Sequence, residues 1–507
     1  MWGLSPTVTA MLVALAPSLL IALFLAVAFA AGYVGSLYRE LWAAPVPMTL
    51  APDPDREPAW PRYFATQAFG DAGRGWSEGL DGANQTLDAR WQPLRDWALD
   101  RENMAIRWLF ILVSVAGLLI SIPLGYLLVS AVAAAHWLVV GSLALATWLV
   151  GVLLRAGDWA FLRLNRVRTT CPACYQEIGC PVYACRDCGR KHRDIRPGHY
   201  GLLRRTCQCT KRLPTRLARA GRTLDASCPT PDCGKQLPKG AGAAREHTIA
   251  MIGPAGAGKT RLAFGMVMAL EGGFSAQPEP VSLTDDTQKR YDELQATIIR
   301  DEPIPETRPA PQPALSLYVK PNRRRGRIVH IFDAAGAWFH SREDRELGTE
   351  VLDAHDLRYL RRARSFVYVV DPLTIDDLWE TFPPKLQDRL LEIRAERTAP
   401  AWRTFEQTVG SLRDMVVRPR WKRLAVVVSK ADGLEGRFPL DPQAGDRSDQ
   451  VAAGLTKLGL GSLVRTAERR FRARFFQTAV TLDRGQVDRS VAELTNWIIP
   501  SRGGWIA

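Results

Sequence analysis

The segment Gly253–Thr260 is the feature that most limits what this chain can fold into. It follows the apolar run His247–Ile252, which suits a buried strand, and leads into Lys259–Leu270, which suits a helix. Glycines between a strand and a helix let backbone N–H groups and the helix N-terminus face a phosphate. The sequence therefore predicts a nucleoside-triphosphate site, and a glycine-rich turn without a ligand is the alternative. The predicted lining residues are Gly253, Pro254, Ala255, Gly256, Ala257, Gly258, Lys259 and Thr260.

Two residues of this loop and one later segment are predicted to act on the phosphates and on Mg²⁺. The Lys259 ammonium would reach the β- and γ-phosphates, and the Thr260 hydroxyl would ligate the ion. The strand-like run Arg327–Phe332 leads into Asp333-Ala-Ala-Gly336. We therefore predict that the Asp333 carboxylate lies near Mg²⁺ and that the Gly336 N–H lies near the γ-phosphate.

A third motif indicates which base is bound. The apolar run Leu424–Val428 ends in Ser429-Lys430-Ala431-Asp432. The Asp432 carboxylate would accept hydrogen bonds from N1–H and the amino group of guanine, and adenine lacks that pair of donors. The Lys430 stem would lie along the base. The order of the motifs favours a GTPase; the alternative is an ATPase that uses Asp333 as an ordinary Mg²⁺ ligand, with Ser429–Asp432 as a helix cap.

All nine cysteines fall between Cys171 and Cys233. Two C-x-x-C pairs with ten residues between them are typical of a zinc ribbon, and two looser pairs supply four more thiolates. We predict two Cys₄ zinc sites, the first made by the two C-x-x-C pairs and the second by the looser pairs. Disulfides are the alternative, and a cytosolic compartment argues against them. In chain order the predicted ligands are Cys171, Cys174, Cys185, Cys188, Cys207, Cys209, Cys228 and Cys233; Cys180 and His192 are left over.

The three nucleotide motifs together resemble the TRAFAC class of P-loop GTPases. With the zinc module in front, the layout over about residues 171–500 is similar to the bacterial double-GTPase family associated with conflict or defence systems. The resemblance implies that Thr307 is the switch-I threonine; an ordinary residue of a Pro-rich loop is the other interpretation. It also places Thr478 and Ala479 in the last base-contacting loop. The implied catalytic set is Lys259, Thr260, Thr307, Asp333 and Gly336.

Two residues depart from the pattern of this class. Ser429 stands where Asn or Thr is usual, and its hydroxyl can still bond to the phosphate loop. Ala337 follows Gly336, where Ras-like proteins have a glutamine that orients the attacking water. Hydrolysis is therefore expected to be slow or assisted; His340 is a candidate substitute, or an exposed loop histidine.

Two long uncharged stretches, Met11–Val34 and Trp108–Leu154, are apolar enough to cross a membrane. The second is too long for one pass, so we predict a helical hairpin that turns near Ser130–His136. A buried hairpin of a soluble protein is the alternative for this stretch, and a cleaved signal peptide is the alternative for the first. Because GTP is cytosolic, three spans would put the amino terminus outside and residues 35–106 inside.

The positive charge is concentrated behind the last apolar stretch. Residues 155–245 hold nineteen Lys or Arg against six Asp or Glu, a net of +13 out of +14 for the whole chain. Anionic headgroups of the inner leaflet are the favoured partner, since each basic residue near such a surface contributes about 1 kcal/mol. Nucleic acid is the other interpretation, but few aromatic side chains stand among these basic residues to stack on bases.

The predicted fold class is an α/β P-loop GTPase with a three-layer, mostly parallel sheet, preceded by a zinc-ribbon module and three transmembrane helices. GTP or GDP, Mg²⁺ and two Zn²⁺ are the expected ligands of a multi-pass protein in a bacterial inner membrane. We expect a GTP-hydrolysing switch that contacts an unidentified protein effector. The alternatives are a non-hydrolysing nucleotide-binding scaffold and a membrane-tethered nucleic-acid binder. The predicted domains are residues 1–34, 35–106, 107–155, 165–240 and 245–500.

Overall fold

A computed structural model describes most of the chain in two compact units. One unit comprises residues 1–53, 59–154 and 197–202, and the other comprises residues 54–58, 155–196 and 203–507. The residues whose structure is described are 20, 23–36, 57–61, 65–100, 102, 104–274, 281–300, 313–320, 326–333, 358–395, 401–415, 419–434, 436–483 and 486–499.

The first unit is helical. Its elements are α1 (Leu23–Ser36), the short strand β1 (Ala59–Trp60), α2 (Ala65–Leu99) and α3 (Met104–Leu164), which runs on into the second unit. The Phe69 ring contacts Trp137, the Tyr126 hydroxyl donates to Asn84, and the Trp91 ring stacks on Phe110. Positions advance along α2 as they recede along α3, so these two helices pack antiparallel.

The predicted hairpin between Trp108 and Leu154 is wrong, because α3 is one continuous helix of 61 residues. At 1.5 Å per residue it is about 92 Å long, roughly three times the hydrocarbon core of a bilayer. The segment Ser130–His136 is rich in alanine, the best helix former, and contains neither Gly nor Pro. Nothing in that segment ends a helix, so the chain does not turn there.

The described residues include one long apolar helix, Phe110–Leu164, and a shorter one, α1, where the sequence predicts three spans. The first part of the predicted span Met11–Val34 lies outside the described residues. The predicted loop 35–106 is largely α2 where it is described.

The second unit begins with a cysteine-rich module of short strands. Its elements are β2 (Thr169–Thr170), β3 (Glu177–Ile178), β4 (Val182–Ala184), β5 (Lys191–His192), β6 (Arg204–Cys207), β7 (Arg212–Pro214), α4 (Leu217–Thr223), β8 (Asp225–Ser227) and β9 (Gln236–Leu237). Buried Cys171, Cys185, Cys207 and Cys228 share an apolar cluster with Tyr183 and Ile195. The same cluster includes Leu213, Leu217 and Leu237 and extends to Tyr318 and Ile328 outside the module. Bound metal would add to the stability that this core provides.

A seven-stranded sheet forms the centre of the second unit. Its strands are β10 (Arg245–Ile252), β11 (Ser282–Leu283), β12 (Leu315–Val319), β13 (Arg327–Asp333), β14 (Ser365–Val370), β15 (Arg423–Val428) and β16 (Arg472–Gln477). The spatial order is β11-β12-β13-β10-β14-β15-β16. β11 and β12 run antiparallel to their neighbours, and the other pairs are parallel. The mostly parallel sheet predicted from the sequence is confirmed.

Helices cover both faces of this sheet, which explains why its central strands are nearly continuous runs of apolar residues. Ile249 and Met251 of β10 face one apolar core, and Ala250 and Ile252 face the other. The helices are α5 (Lys259–Phe274), α6 (Asp285–Ile299), α7 (Arg358–Arg362), α8 (Asp376–Trp379), α9 (Pro384–Ala395), α10 (Ala401–Met415), α11 (Arg447–Leu455), α12 (Gly461–Arg470) and α13 (Arg489–Ile498). Shorter helical turns span Pro372–Thr374, Pro419–Trp421, Ala431–Leu434 and Thr456–Leu460, and β17 (Leu482–Asp483) pairs with β18 (Gln486–Val487).

Candidate nucleotide site and cysteine clusters

The phosphate loop connects β10 to α5, as the sequence predicts. Gly253, Gly256 and Gly258 have positive φ angles of 147°, 69° and 87°. A Cβ at Gly253 would lie 2.6 Å from the Val369 carbonyl oxygen of β14, so only glycine fits there. Lys259 is buried, and its Nζ donates to the carbonyl oxygens of Gly253 and Pro254 at 2.9 and 2.7 Å. The loop therefore has the strand–turn–helix geometry that presents backbone N–H groups to a phosphate.

The two predicted Mg²⁺ ligands are in direct contact. Asp333 is the last residue of β13, which pairs with β10, and Thr260 lies in the first turn of α5. The Thr260 hydroxyl donates to Asp333 Oδ2 at 2.6 Å. An adjacent hydroxyl and carboxylate at the carboxyl edge of a parallel sheet make a suitable oxygen donor pair for Mg²⁺. Thr307, Gly336, Ala337 and His340 lie outside the described residues.

The segment Ser429–Asp432 follows β15 and contacts the phosphate loop. The buried Ser429 hydroxyl donates to the Ala257 carbonyl oxygen at 2.8 Å, which is the contact expected of a residue at this position. Lys430 has a left-handed backbone with φ of 56°, and its Nζ donates to the Gly256 carbonyl oxygen at 3.1 Å. Asp432 lies in the turn Ala431–Leu434 and is exposed, so its carboxylate is accessible to a ligand.

Asp371 is a site residue whose role the sequence does not reveal. It follows β14, is fully buried, and accepts from Lys430 Nζ at 3.1 and 3.2 Å through its two carboxylate oxygens. It also accepts from the Leu373 backbone N–H. This carboxylate therefore fixes the lysine that is predicted to lie along the base. The only sequence signal is an acidic residue at the end of an apolar strand.

The last predicted base-contacting loop lies beside the same segment. The Thr478 N–H donates to the Val428 carbonyl oxygen at 2.9 Å, and the Ala431 N–H donates to the Thr478 carbonyl oxygen at 3.1 Å. The Ala479 N–H is 3.4 Å from the Ser490 hydroxyl oxygen. The loop after β16 is thus bonded to the segment after β15, and both lie at the carboxyl edge of the sheet.

Arg290 of α6 is a second residue near the phosphate end that the sequence does not single out. Its Nη1 donates to the Pro313 carbonyl oxygen at 2.8 Å. Burial lowers the pKa of Arg290, and the nearby Asp333 and Tyr175 side chains oppose that shift. The guanidinium is therefore a cation held close to the predicted Mg²⁺ carboxylate. One arginine in an amphipathic helix gives no sequence signal for such a role.

Eight cysteines gather into two groups, and the predicted division between them is wrong. Cluster A consists of Cys171, Cys174, Cys228 and Cys233, and cluster B consists of Cys185, Cys188, Cys207 and Cys209. The two C-x-x-C pairs therefore do not share a site. β4 lies between the two C-x-x-C pairs in the sequence and separates them in space. It also pairs with β8, which places Cys228 beside the first C-x-x-C pair. Each C-x-x-C pair thus meets a pair from later in the chain.

The sulfur geometry of both clusters fits zinc. Sγ–Sγ distances are 3.7 Å for Cys171–Cys233 and 3.8 Å for Cys174–Cys228 in cluster A. In cluster B, the distances Cys185–Cys209 and Cys188–Cys207 are both 3.6 Å. A tetrahedral zinc site with Zn–S bonds of about 2.3 Å has sulfur atoms about 3.8 Å apart. A backbone N–H, from Lys211, lowers the pKa of Cys209 to about 7, which favours the thiolate form that binds metal.

The two remaining candidate ligands of the cysteine module lie outside the clusters. Cys180 is a free thiol whose pKa is raised by burial. His192 is fully buried, and its Nδ1 is 2.9 Å from Glu57 Oε1, which also accepts from buried Arg205 at 2.5 Å. His192 is therefore part of a buried network of charged and polar side chains that fastens residue 57 to the module.

Known proteins resemble this chain over part of its length. No curated protein shows significant similarity to the chain. Among solved structures, a chain of the signal recognition particle receptor SRb-GTP/SRX complex from Chaetomium thermophilum is 13% identical, with 50% of this chain and 96% of that chain covered and a TM-score of 0.25. The Arl6 BBS3 small GTPase from Trypanosoma brucei is 14% identical, with 50% and 95% covered and a TM-score of 0.21.

The sequence profile of one protein family includes all seven strands of the sheet, the first of them from residue 247 onwards. Residues 247–497 match the family described as Double-GTPase 2. The match begins in β10 and ends in α13, and includes the phosphate loop, Asp333 and Ser429–Asp432. Over residues 247–497, this chain belongs to the Double-GTPase 2 family.

Proposed function

We propose that this chain is a GTP-dependent switch, with GTP and Mg²⁺ bound at the phosphate loop and guanine selected by Asp432. The observation that carries the proposal is the pair of hydrogen bonds from Ser429 Oγ and Lys430 Nζ to phosphate-loop carbonyl oxygens. These bonds hold the predicted base-reading segment against the predicted phosphate-binding segment. A single bound nucleotide can then contact both.

Each residue has a task in this proposal. Lys259 exchanges its two loop carbonyl partners for phosphate oxygens, and Thr260 and Asp333 supply oxygen ligands to Mg²⁺. The ion would neutralise charge on the phosphates. Ala337 carries no group that orients water, so we expect turnover to be slow without a second protein. Nucleotide-dependent ordering of segments near the γ-phosphate would be the output of the switch.

The base-reading role of Asp432 gives the sharpest test. Asp432→Asn replaces two acceptors by one donor and one acceptor, which suits xanthine, whose oxygen stands where guanine has an amino group. We expect GTP affinity to fall by about 2 kcal/mol, because a polar pair is left mismatched. Affinity for xanthosine triphosphate should rise, and ATP should bind poorly to both proteins.

Competition binding with the three nucleotides measures these changes. The matched control is Asp441→Asn, which changes the same chemical group in an acidic residue paired with Lys457 instead. If ATP competes as well as GTP against the unmodified protein, Ser429–Asp432 does not read the base, and the ATPase alternative replaces the proposal. If GTP binds but no phosphate is released over hours, the chain is a nucleotide-binding scaffold.

We also propose that α3 anchors the protein in a membrane. Only 17% of its most apolar 18-residue window is buried, and the side chains of Leu138, Leu143, Trp148 and Leu153 are 60–75% exposed. A row of large exposed apolar side chains of this length suits lipid rather than water. The basic residues that follow Leu154 suit a cytoplasmic flank beside anionic headgroups. The role in a bacterial conflict system implied by the resemblance is part of the proposal, and neighbouring genes that encode effectors would support it.

A further inference from the structure

Building on the proposed GTP-binding function, we propose that cluster A is a nucleotide-linked metal site. Zinc held by Cys171, Cys174, Cys228 and Cys233 and Mg²⁺–GTP held at the phosphate loop would each strengthen the binding of the other. The link is made by residues 171–175 and 235–236, which contact β12, Phe332 of β13, α6 and α7.

The first contact joins cluster A to the beginning of β12. Pro172 lies between the ligands Cys171 and Cys174, and its carbonyl oxygen accepts from the Ala314 N–H at 3.0 Å. The neighbouring Pro313 carbonyl oxygen accepts from Arg290, whose guanidinium also interacts with Asp333. The entry to β12 is therefore bonded both to the cysteine loop and to a cation beside the predicted Mg²⁺ carboxylate.

The second contact joins cluster A to the residue before Asp333. Tyr175 is buried, has a left-handed backbone with φ of 58°, and donates its N–H to the Cys171 carbonyl oxygen at 3.0 Å. Its ring packs on Phe332 with centroids 5.2 Å apart. Phe332 and Asp333 are consecutive in β13. A shift of the Asp333 carboxylate towards Mg²⁺ would therefore also move the Phe332 ring that packs against Tyr175.

The third contact reaches α7, the first described helix after Asp333. Arg362 Nη1 donates to the Tyr175 carbonyl oxygen at 3.0 Å, and Nη2 is 3.5 Å from Glu177 Oε2. One arginine therefore connects the end of α7 to both β3 and the residue that follows the C-x-x-C loop. A movement of α7 would reach cluster A through this side chain.

The other half of cluster A contacts the N-terminus of α6. Lys235 Nζ is 3.3 Å from Asp286 Oδ2, and Gln236 Oε1 accepts from the Asp285 N–H at 3.4 Å. These two residues lie two and three positions after the ligand Cys233. The residues after Cys233 therefore contact α6, and the loop between Cys171 and Cys174 contacts β12. In the sequence, α6 precedes Thr307 and β12 follows it.

Cluster B supplies an internal control. The Cys185 N–H bonds to the Arg190 carbonyl oxygen, the Cys207 N–H bonds to Lys211, and the Gln208 N–H bonds to Pro58. These bonds of its loops stay within the module or reach residue 58, whereas the contacts of cluster A reach β12, β13, α6 and α7. Because coupling between two binding sites is reciprocal, GTP should slow the loss of metal from cluster A and leave cluster B unchanged.

The test measures the reactivity of individual cysteines in the full-length, zinc-loaded protein in detergent. The protein is labelled with N-ethylmaleimide in the presence of Mg²⁺ and a non-hydrolysable GTP analogue, and separately without nucleotide. Mass spectrometry then measures the labelling rate of each cysteine. With the GTP analogue bound, we expect labelling of Cys174 and Cys233 to be about fivefold slower or more. Labelling of Cys188 and Cys209 should stay within about twofold. Bound nucleotide is quantified in the same samples.

Arg362→Ala should remove most of the difference at cluster A, because it breaks the bonds to Tyr175 and Glu177. Arg361→Ala, its exposed neighbour with the same change of charge, should leave the difference intact. Equal rates with and without bound analogue at Cys174 and Cys233, or equal protection of both clusters, would overturn the inference. Absence of bound analogue would overturn the proposed GTP-binding function with it.

Discussion

At the scale of single residues, the nucleotide site depends on a few buried polar groups held in fixed positions. Lys430 adopts a left-handed backbone conformation that residues other than glycine rarely adopt, at a cost of roughly 1–2 kcal/mol. Its Nζ bonds to Asp371 and to the Gly256 carbonyl oxygen offset that cost. The strain is therefore located where the base is predicted to bind, which is typical of functional sites.

His247 makes stability depend on pH. Burial, reinforced by Arg364, Arg327 and Arg423, lowers the pKa of His247 to about 3 from its usual 6.5, so the folded protein holds it neutral. Its Nε2 is 3.0 Å from the Ser365 hydroxyl. A lowered histidine pKa gives stability that is complete above pH 6.5 and is lost as the pH falls towards 3. Between pH 7 and pH 5 we expect a loss of about 2 kcal/mol.

Chemical denaturation of the unmodified protein and of His247→Gln at both pH values checks this expectation. Glutamine can still donate to Ser365 but does not titrate, so the variant should lose about 2 kcal/mol less over the same interval. Both proteins contain all the other titrating groups. The difference between them in the pH dependence of the unfolding free energy is therefore due to His247. Identical slopes would show that this histidine does not control acid stability.

Residue identities were predictable where the chemistry demands one side chain. Gly253, Lys259, Thr260 and Asp333 lie together as the sequence predicts, because strand ends and a helix start fix them. Asp371 was not predictable in its role, since its partner Lys430 is remote in sequence. A carboxylate that positions another side chain need not lie at any fixed distance from it in the sequence, so no motif identifies it.

At the scale of elements, apolar runs located the strands well and failed to locate breaks in helices. The predicted strands Arg327–Phe332 and Leu424–Val428 coincide with β13 and β15 to within one residue. A buried strand needs only a short apolar run between polar ends. The predicted turn in α3 rested on length alone, and local helix propensity decided otherwise.

The pairing of cysteines is an element-scale property that spacing does not determine. Cys174→Ser with Cys233→Ser damages only cluster A, so about one zinc per chain should remain. Cys174→Ser with Cys188→Ser damages both clusters, so zinc content should approach zero. Elemental analysis of the full-length protein distinguishes these results. If the two C-x-x-C pairs shared a site, the outcomes would be exchanged, and unmodified protein with fewer than one zinc would exclude both arrangements.

At the scale of the whole molecule, the continuity of α3 changes the expected membrane topology. Near its own N-terminus, the polar helix α2 contacts Trp137 of α3 through Phe69, and the uncharged stretch 138–154 that begins there is the candidate span. These 17 residues are at the short end of what crosses a bilayer. A helix that crosses once places its two flanks on opposite sides, whereas the predicted hairpin would return to the same side.

Reporter fusions test this topology. A reporter that is active only outside the membrane should be silent after Ala507 and active near Gly82, in the middle of α2. Fusion at Gly70, also within α2, serves as a second position and should give the same result as Gly82. Silence at all three positions would show that α3 does not cross the membrane once.

The arrangement of the two cysteine clusters also sets an order of assembly. The chain closes 62 residues between Cys171 and Cys233, and the 24 residues between Cys185 and Cys209 lie inside that interval. Closing the inner ring first shortens the outer one, which reduces its entropic cost by about 0.4 kcal/mol. A newly made chain would therefore tend to take up its inner metal before its outer one. The ring that contacts the nucleotide elements would be the last to close and, during metal starvation, the first to open.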